Sequence, residues 1–140
     1  MSFVLDNSVT MCWFFWDGKP HDLVYAEKIL DAMKMDSAHV PATWGREVSN
    51  MIARAEAKGL VTEARSNAFF EILGGVDAEV DTAIFAHALS YTLQLARRCC
   101  KLSSYDASYL ELALRLGMPL VALHEGLQKT AKKADVKKWA

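Results

Sequence analysis

The sequence predicts an α/β protein: a short, mostly parallel central sheet flanked by helices in a three-layer arrangement. Two observations carry this. Short apolar runs, too brief for helices, alternate with longer stretches of helical periodicity. The short runs are apolar on both sides, as expected of parallel strands buried on both faces. No internal repeat, low-complexity segment or linker interrupts the pattern, and 140 residues suit one domain spanning 1–140.

The elements follow in order. Ser2 to Asp6 is an apolar run ending in an acid and suits a buried strand. Asn7 to Trp16 has Val9, Trp13 and Trp16 at helical spacing, and Asp17-Gly18-Lys19-Pro20 then breaks the chain. His21 to Met35 reads as a helix with Leu23, Ala26, Ile29, Leu30 and Met33 on one face. Ala38-His39-Val40-Pro41 is a second strand, stopped by its proline. Thr43 is the expected N-cap of a helix to about Lys58, with Gly59 at C′. Thr62 caps a further helix that ends before Gly74-Gly75. Val76 to Val80 is a weaker strand, and Asp81 is expected to start a long helix to about Cys100. Ser103 opens the next helix, which ends at Gly117. Leu120 to Leu123 is the last strand, and Glu125 to about Ala134 the last helix.

Bulk properties narrow the function classes. Hydrophobic residues make up 52% of the chain and charged residues 24%, as in soluble globular proteins. No apolar run approaches the ~20 residues of a membrane span. The Met1-to-Asp6 start has no basic residue and no cleavable apolar stretch, so no signal peptide is expected. Cys12, Cys99 and Cys100 are odd in number and lack zinc or CxxC spacing, so reduced thiols in a cytoplasmic protein are expected. From Gly126 onward five lysines face one acid, which gives that tail +4 and leaves −5 for the rest. Such a tail either is a solvated helix or touches a polyanion.

In open α/β sheets, ligands bind beyond the carboxyl ends of the strands. Asp6 ends the first strand and is therefore either a site residue or a helix cap. Glu47 falls on the apolar stripe of Trp44, Val48, Met51 and Ala55. A carboxylate facing a core costs several kcal/mol (about 2–7 for a polar group alone) unless neutralised, either by Arg46 or Arg54 reaching back or by a metal. Asp106 lies on the packed face marked by Leu110, Ala113 and Gly117, and with Ser103 it has capping-box spacing. Three such carboxylates cannot share a site without a cation, because close like charges repel. Mg²⁺ accepts one or two carboxylates with waters and a substrate phosphate. The implied chemistry is metal-assisted phosphodiester hydrolysis.

The order of motifs resembles PIN-domain proteins of the VapC toxin type. The matching stretches are Val4-Leu5-Asp6-Asn7-Ser8-Val9, Val40-Pro41 with Arg46-Glu47-Val48-Ser49-Asn50, and Leu102-Ser103-Ser104-Tyr105-Asp106-Ala107-Ser108-Tyr109-Leu110-Glu111-Leu112-Ala113. Gly117-Met118-Pro119-Leu120-Val121-Ala122-Leu123 completes them. The resemblance implies a PIN-like fold and Mg²⁺- or Mn²⁺-dependent endoribonuclease activity. It also implies a cognate antitoxin that blocks the site, and a homodimer. Asp6, Glu47 and Asp106 fall on the family's acidic positions, and Ser8 and Ser103 on its polar helpers. The family usually carries a fourth acid just after the last core strand. Here His124 stands there and Glu125 is one residue late. His124 then ligates a softer ion such as Mn²⁺, acts as an acid or base, or is inert while Glu125 turns in.

Other features are less specific. Trp13-Phe14-Phe15-Trp16 cannot bury all four rings on one helix face, so at least one ring is expected exposed or covered by a partner. Arg97, Arg98 and Lys101 either approach RNA phosphate or solvate a helix end. His21, His39 and His87 have no paired spacing. Two rivals to a nuclease remain: a binding module whose site has decayed at His124, and a phosphatase using Asp6, which lacks a second acid because Ser8 stands two residues on.

Overall fold

The computed structural model describes residues 2–82, 85–98 and 103–139. Its elements are β1 (Phe3–Leu5), α1 (Asn7–Phe15), α2 (Pro20–Ala32), β2 (Ala38–Val40), α3 (Trp44–Ala57), α4 (Glu63–Gly74), β3 (Ala78–Val80), α5 (Phe85–Arg98), α6 (Ser104–Leu116), β4 (Leu120–Val121) and α7 (Glu125–Lys133). The four strands form one parallel sheet in the order β3-β2-β1-β4. The chain builds outward from β1 to β2 and β3, then returns to place β4 on the other side of β1. The strand order thus reverses between β1 and β4, and a crevice for ligands opens at such a switch point.

β1 shows how two faces are covered. Successive strand side chains point to opposite faces. Val4 packs with Leu120, Ala122, Leu110 and Ala113 of α6, and Leu127 and Ala131 of α7. Phe3 and Leu5 pack on the other side, with Val9 of α1, Ala26 and Ile29 of α2, and Val40. An outer cluster joins Met11 and Phe14 of α1 to Val48, Ile52 and Ala55 of α3. Each fully buried aliphatic or aromatic side chain contributes roughly 1.5–3 kcal/mol, so β1 is short in length but central to the core.

Several sequence expectations shift here. Asp81 does not open the long helix. It follows β3 directly, donates its N–H to Val40 O (2.8 Å) and gives its carboxylate to Arg115 (2.6 Å), so it serves β2 and α6 instead. The expected end of that helix at Cys99 and Cys100, like Lys101, lies outside the described residues. The last strand stops at Val121 because Leu123 N–H leaves the ladder for Ser8 Oγ (2.9 Å), while Ala122 O accepts from Gln128 (2.6 Å). The helix expected from His21 starts at Pro20, whose fixed φ suits a first turn. Leu30, expected on its packed face, is exposed, and Ile52 replaces Met51 on the packed stripe of α3. Thr43 precedes α3 but makes no cap bond, because its backbone is already helical. At the far end, Gly59 has the left-handed φ of +71°. Its N–H donates to Glu56 O (2.9 Å) and Leu60 N–H donates to Ala55 O (2.9 Å), which closes α3 with the two bonds of a Schellman motif.

Cys12 is a buried free thiol, as expected. Of the aromatic run, Phe14 is buried and Trp16 is 49% exposed. After α7 the chain returns to the sheet, where Lys138 bridges Leu120 in parallel. Among the described residues no helix is long and apolar enough to cross a membrane.

Candidate metal-binding acidic site

Four residues singled out in the sequence belong to helix starts at the carboxyl end of the sheet. Asp6 caps α1, Glu47 and Asp106 lie in the first turns of α3 and α6, and His124 caps α7. This follows from local chemistry, because carboxylates are favoured where unpaired N–H groups and the positive end of the helix dipole face them. What the fold adds is convergence, since β1 and β4 adjoin at the switch point.

Asp6 is 3% exposed. Its Oδ2 accepts from Ser8 N–H (3.1 Å) and from the Ser8 hydroxyl through a short hydrogen bond. Ser8 Oγ in turn accepts from Leu123 N–H, so one hydroxyl ties the end of β1 to the segment after β4. Burial raises the Asp6 carboxyl above the usual range. The Ser8 bonds oppose this, the negative Asp106 adds to it, and His124 opposes it.

Glu47 is half-buried. Its Oε1 accepts from Tyr109 Oη (3.1 Å) and from Thr43 Oγ1 (3.4 Å). Arg46 and Arg54 are exposed, so the expected alternative of an arginine reaching back is not what meets this carboxylate. Burial raises Glu47 to about 7, with Tyr109 lowering it and Asp6 and Asp106 raising it further. Tyr109 was not singled out from sequence. Its position three residues after Asp106, on the same helix face, was the available signal.

Asp106 N–H donates to Ser103 Oγ (3.1 Å), so Ser103 is a helix cap. Among the described residues the Asp106 carboxylate is not returned to Ser103. It faces His124 Nδ1 at 3.8 Å. That nitrogen already accepts Leu127 N–H (3.2 Å) and therefore carries a lone pair, which places the proton of the neutral ring on Nε2. The cap bond, rather than an ion pair, is the better account of the ring's position, because 3.8 Å is too long for a hydrogen bond. Glu125 is not drawn in. It lines a separate depression with Lys19, His21, Asp22 and Tyr25.

Among the described residues no three His, Cys, Asp or Glu side chains stand close enough to form a ready-made cation cage. The donor set nevertheless suits a hydrated hard cation. It is made of carboxylate oxygens, and no Lys or Arg pairs with Asp6, Glu47 or Asp106 among the described residues. Mg²⁺ keeps several waters and needs only one or two such ligands.

This electrostatic frustration gives a pH dependence. Glu47 titrates near 7 in the fold against a reference value of 4.5. Between these values the folded state binds the proton that the unfolded state has released, so stability falls as pH rises. Asp6 acts in the same direction. In EDTA, urea stability should be higher at pH 5.5 than at pH 8, by on the order of 1–2 kcal/mol once solvent screening is allowed for. Glu47→Gln should flatten the slope; an unchanged slope in that variant would refute the assignment.

The fold and site together define a three-layer parallel α/β protein with an acidic cluster at its strand-order switch point. The crystal structure of PAE2754 from Pyrobaculum aerophilum matches it with a TM-score of 0.66 at 19% identity, over 93% of this chain and 79% of that one. No protein-family model matches the sequence, and neither does any curated protein. At that identity the likeness establishes the fold alone.

Proposed function

We propose that the chain is an Mg²⁺- or Mn²⁺-dependent endoribonuclease of the PIN type, the toxin component of a type II toxin–antitoxin pair acting in the cytoplasm. One observation carries the reading: Asp6 and Glu47 both feel the negative charge of Asp106 at the carboxyl end of the sheet, and no Lys or Arg is paired with any of the three among the described residues. The motif order from Asp6 through Ala122-Leu123 supports the family assignment.

Asp6 and Asp106 hold the cation in this reading, and Glu47 helps hold it or orients water. A bound divalent ion supplies an activated water and offsets charge on the phosphate. Ser8 fixes the rotamer of Asp6 through two hydrogen bonds. Glu47, titrating near 7, can take a proton from water at neutral pH. His124 Nε2–H is free to donate to a phosphate oxygen while Nδ1 caps α7. The exposed lysines Lys129, Lys132, Lys133 and Lys137 supply positive potential for RNA. The exposed Trp16 is a candidate contact for the antitoxin or for a second copy in a homodimer.

A second reading, a PIN-like binding module, is favoured by His124, whose Nδ1 is committed to a helix cap where the family carries an acid. Total cellular RNA incubated with the purified, antitoxin-free protein separates the two. Discrete products formed with Mg²⁺ or Mn²⁺ and absent in EDTA are expected. Intact RNA with both metals, from a folded protein, would favour the binding module.

A further inference from the structure

Beside the acidic cluster is a depression of about 430 Å³ that shares Glu47 with it and is lined by Asn7, Thr43, Arg46, Asn50, Met51 and Tyr105. Its chemistry differs from that of the cluster: two carboxamides, a guanidinium and an aromatic ring, where the cluster has acids. Asn7 is nine-tenths buried, yet its Oδ1 has no hydrogen-bond partner. Its Nδ2 reaches only Met51 Sδ at 3.2 Å, a weak acceptor. Exchanging the two amide ends leaves one of them unpaired either way. A buried carboxamide this poorly satisfied is unfavourable, and a ligand that pairs with it would remove the penalty. Met51, which screens it, is itself exposed and unbranched, and can swing aside. Tyr105 is 56% exposed at the rim, and Arg46 and Asn50 are exposed beside it.

We infer that this depression is a nucleobase subsite that seats a purine next to the phosphodiester at the acidic cluster. The inference rests on the nuclease reading for its place in the reaction, but not for its binding chemistry. Unpaired bases stack on exposed aromatic side chains, and Tyr105 is placed to offer its ring. Carboxamides pair with the N6/N7 edge of adenine and an arginine fork with the O6/N7 edge of guanine. Both edges belong to purines, which also offer the larger stacking face. The subsite would select the residue flanking the cut.

The test uses the full chain in EDTA with AMP, UMP and ribose 5-phosphate as probes, followed by NMR of the side-chain amides. AMP should bind at least about tenfold more tightly than UMP or ribose 5-phosphate and shift the Asn7 carboxamide signals. Tyr105→Ala and Asn50→Ala, both at exposed positions, should each weaken AMP severalfold. If Asn7→Ala fails to fold, these two variants carry the test. Equal binding of ribose 5-phosphate and AMP would overturn the inference, leaving a phosphate contact at Arg46. No binding of any probe would overturn it too. Because no metal and no cleavable bond are present, AMP binding without RNA cleavage would sink the nuclease reading alone. Cleavage without base selectivity would sink the subsite alone.

Discussion

Asp6→Asn is expected to lower metal-dependent RNA cleavage by at least about 10²–10³-fold, the usual cost of removing a preorganised charged group from a reacting centre. The same substitution should stabilise the metal-free protein at pH 8. The wild-type carboxylate is buried beside Asp106 and pays for its charge in desolvation and repulsion. Asparagine keeps the shape and most of the bonding. Its Oδ1, in the place of the carboxylate Oδ2, can accept from both the Ser8 N–H and the Ser8 hydroxyl, and Ser8 Oγ still accepts from Leu123 N–H. The two measurements are the initial cleavage rate with Mn²⁺ and the melting temperature in EDTA. A mutant that cleaves at the wild-type rate would remove Asp6 from the mechanism. A mutant that melts lower would show that the negative charge of the α1 cap stabilises the fold despite its burial.

Arg115→Met should cost about 3–5 kcal/mol of folding stability, the largest stability change expected for a single polar side chain here. Arg115 Nε donates to Glu111 Oε1 (2.7 Å), and its two terminal nitrogens hold both Asp81 oxygens (3.3 and 2.6 Å). Glu111 is almost wholly buried, so losing the guanidinium strands its charge in the core of α6. The penalty comes from that stranded charge rather than from the value of the pair itself. Glu111→Leu added to Arg115→Met should therefore recover most of the loss. Urea unfolding at pH 7 tests both variants. A single mutant within about 1 kcal/mol of wild type, or a double mutant no better than the single, would contradict this account.

Much of the frame is legible in the chain. The apolar triplets Phe3–Leu5 and Ala38–Val40 read as strands because no polar residue gives them an outer face, apart from half-buried His39, which meets Glu79 across to β3. The caps at Thr62 and Ser103, and the cap that is one of the two roles open to Asp6, follow from a short oxygen side chain before a periodic run, which accepts a backbone N–H nearby. Thr43 and Asp81 carry the same signal and do otherwise. Thr43 already has helical backbone angles and turns its hydroxyl to Glu47 one turn on, while Asp81 answers Arg115, a partner far away in the chain.

The site divides along the same line. Glu47 and Asp106 stand out from sequence because each is a charge at a position that periodicity assigns to a packed face, and Asp6 because it ends the first strand. Local chemistry also determines that each sits in or before the first turn of a helix. That they share one end of the sheet is decided only by the tertiary structure: β4 returns to the opposite side of β1, and Ser8 Oγ joins the two strand ends. Tyr109 on Glu47, the orphaned Asn7 amide and the Glu111–Arg115–Asp81 group are likewise tertiary, because their partners lie far away in the chain or are missing altogether. Short-range preference acts over a turn or two, so the sequence by itself determined the elements and their caps. Which caps face a common crevice depends on strand order, and strand order is settled by burying β1 between two helical layers.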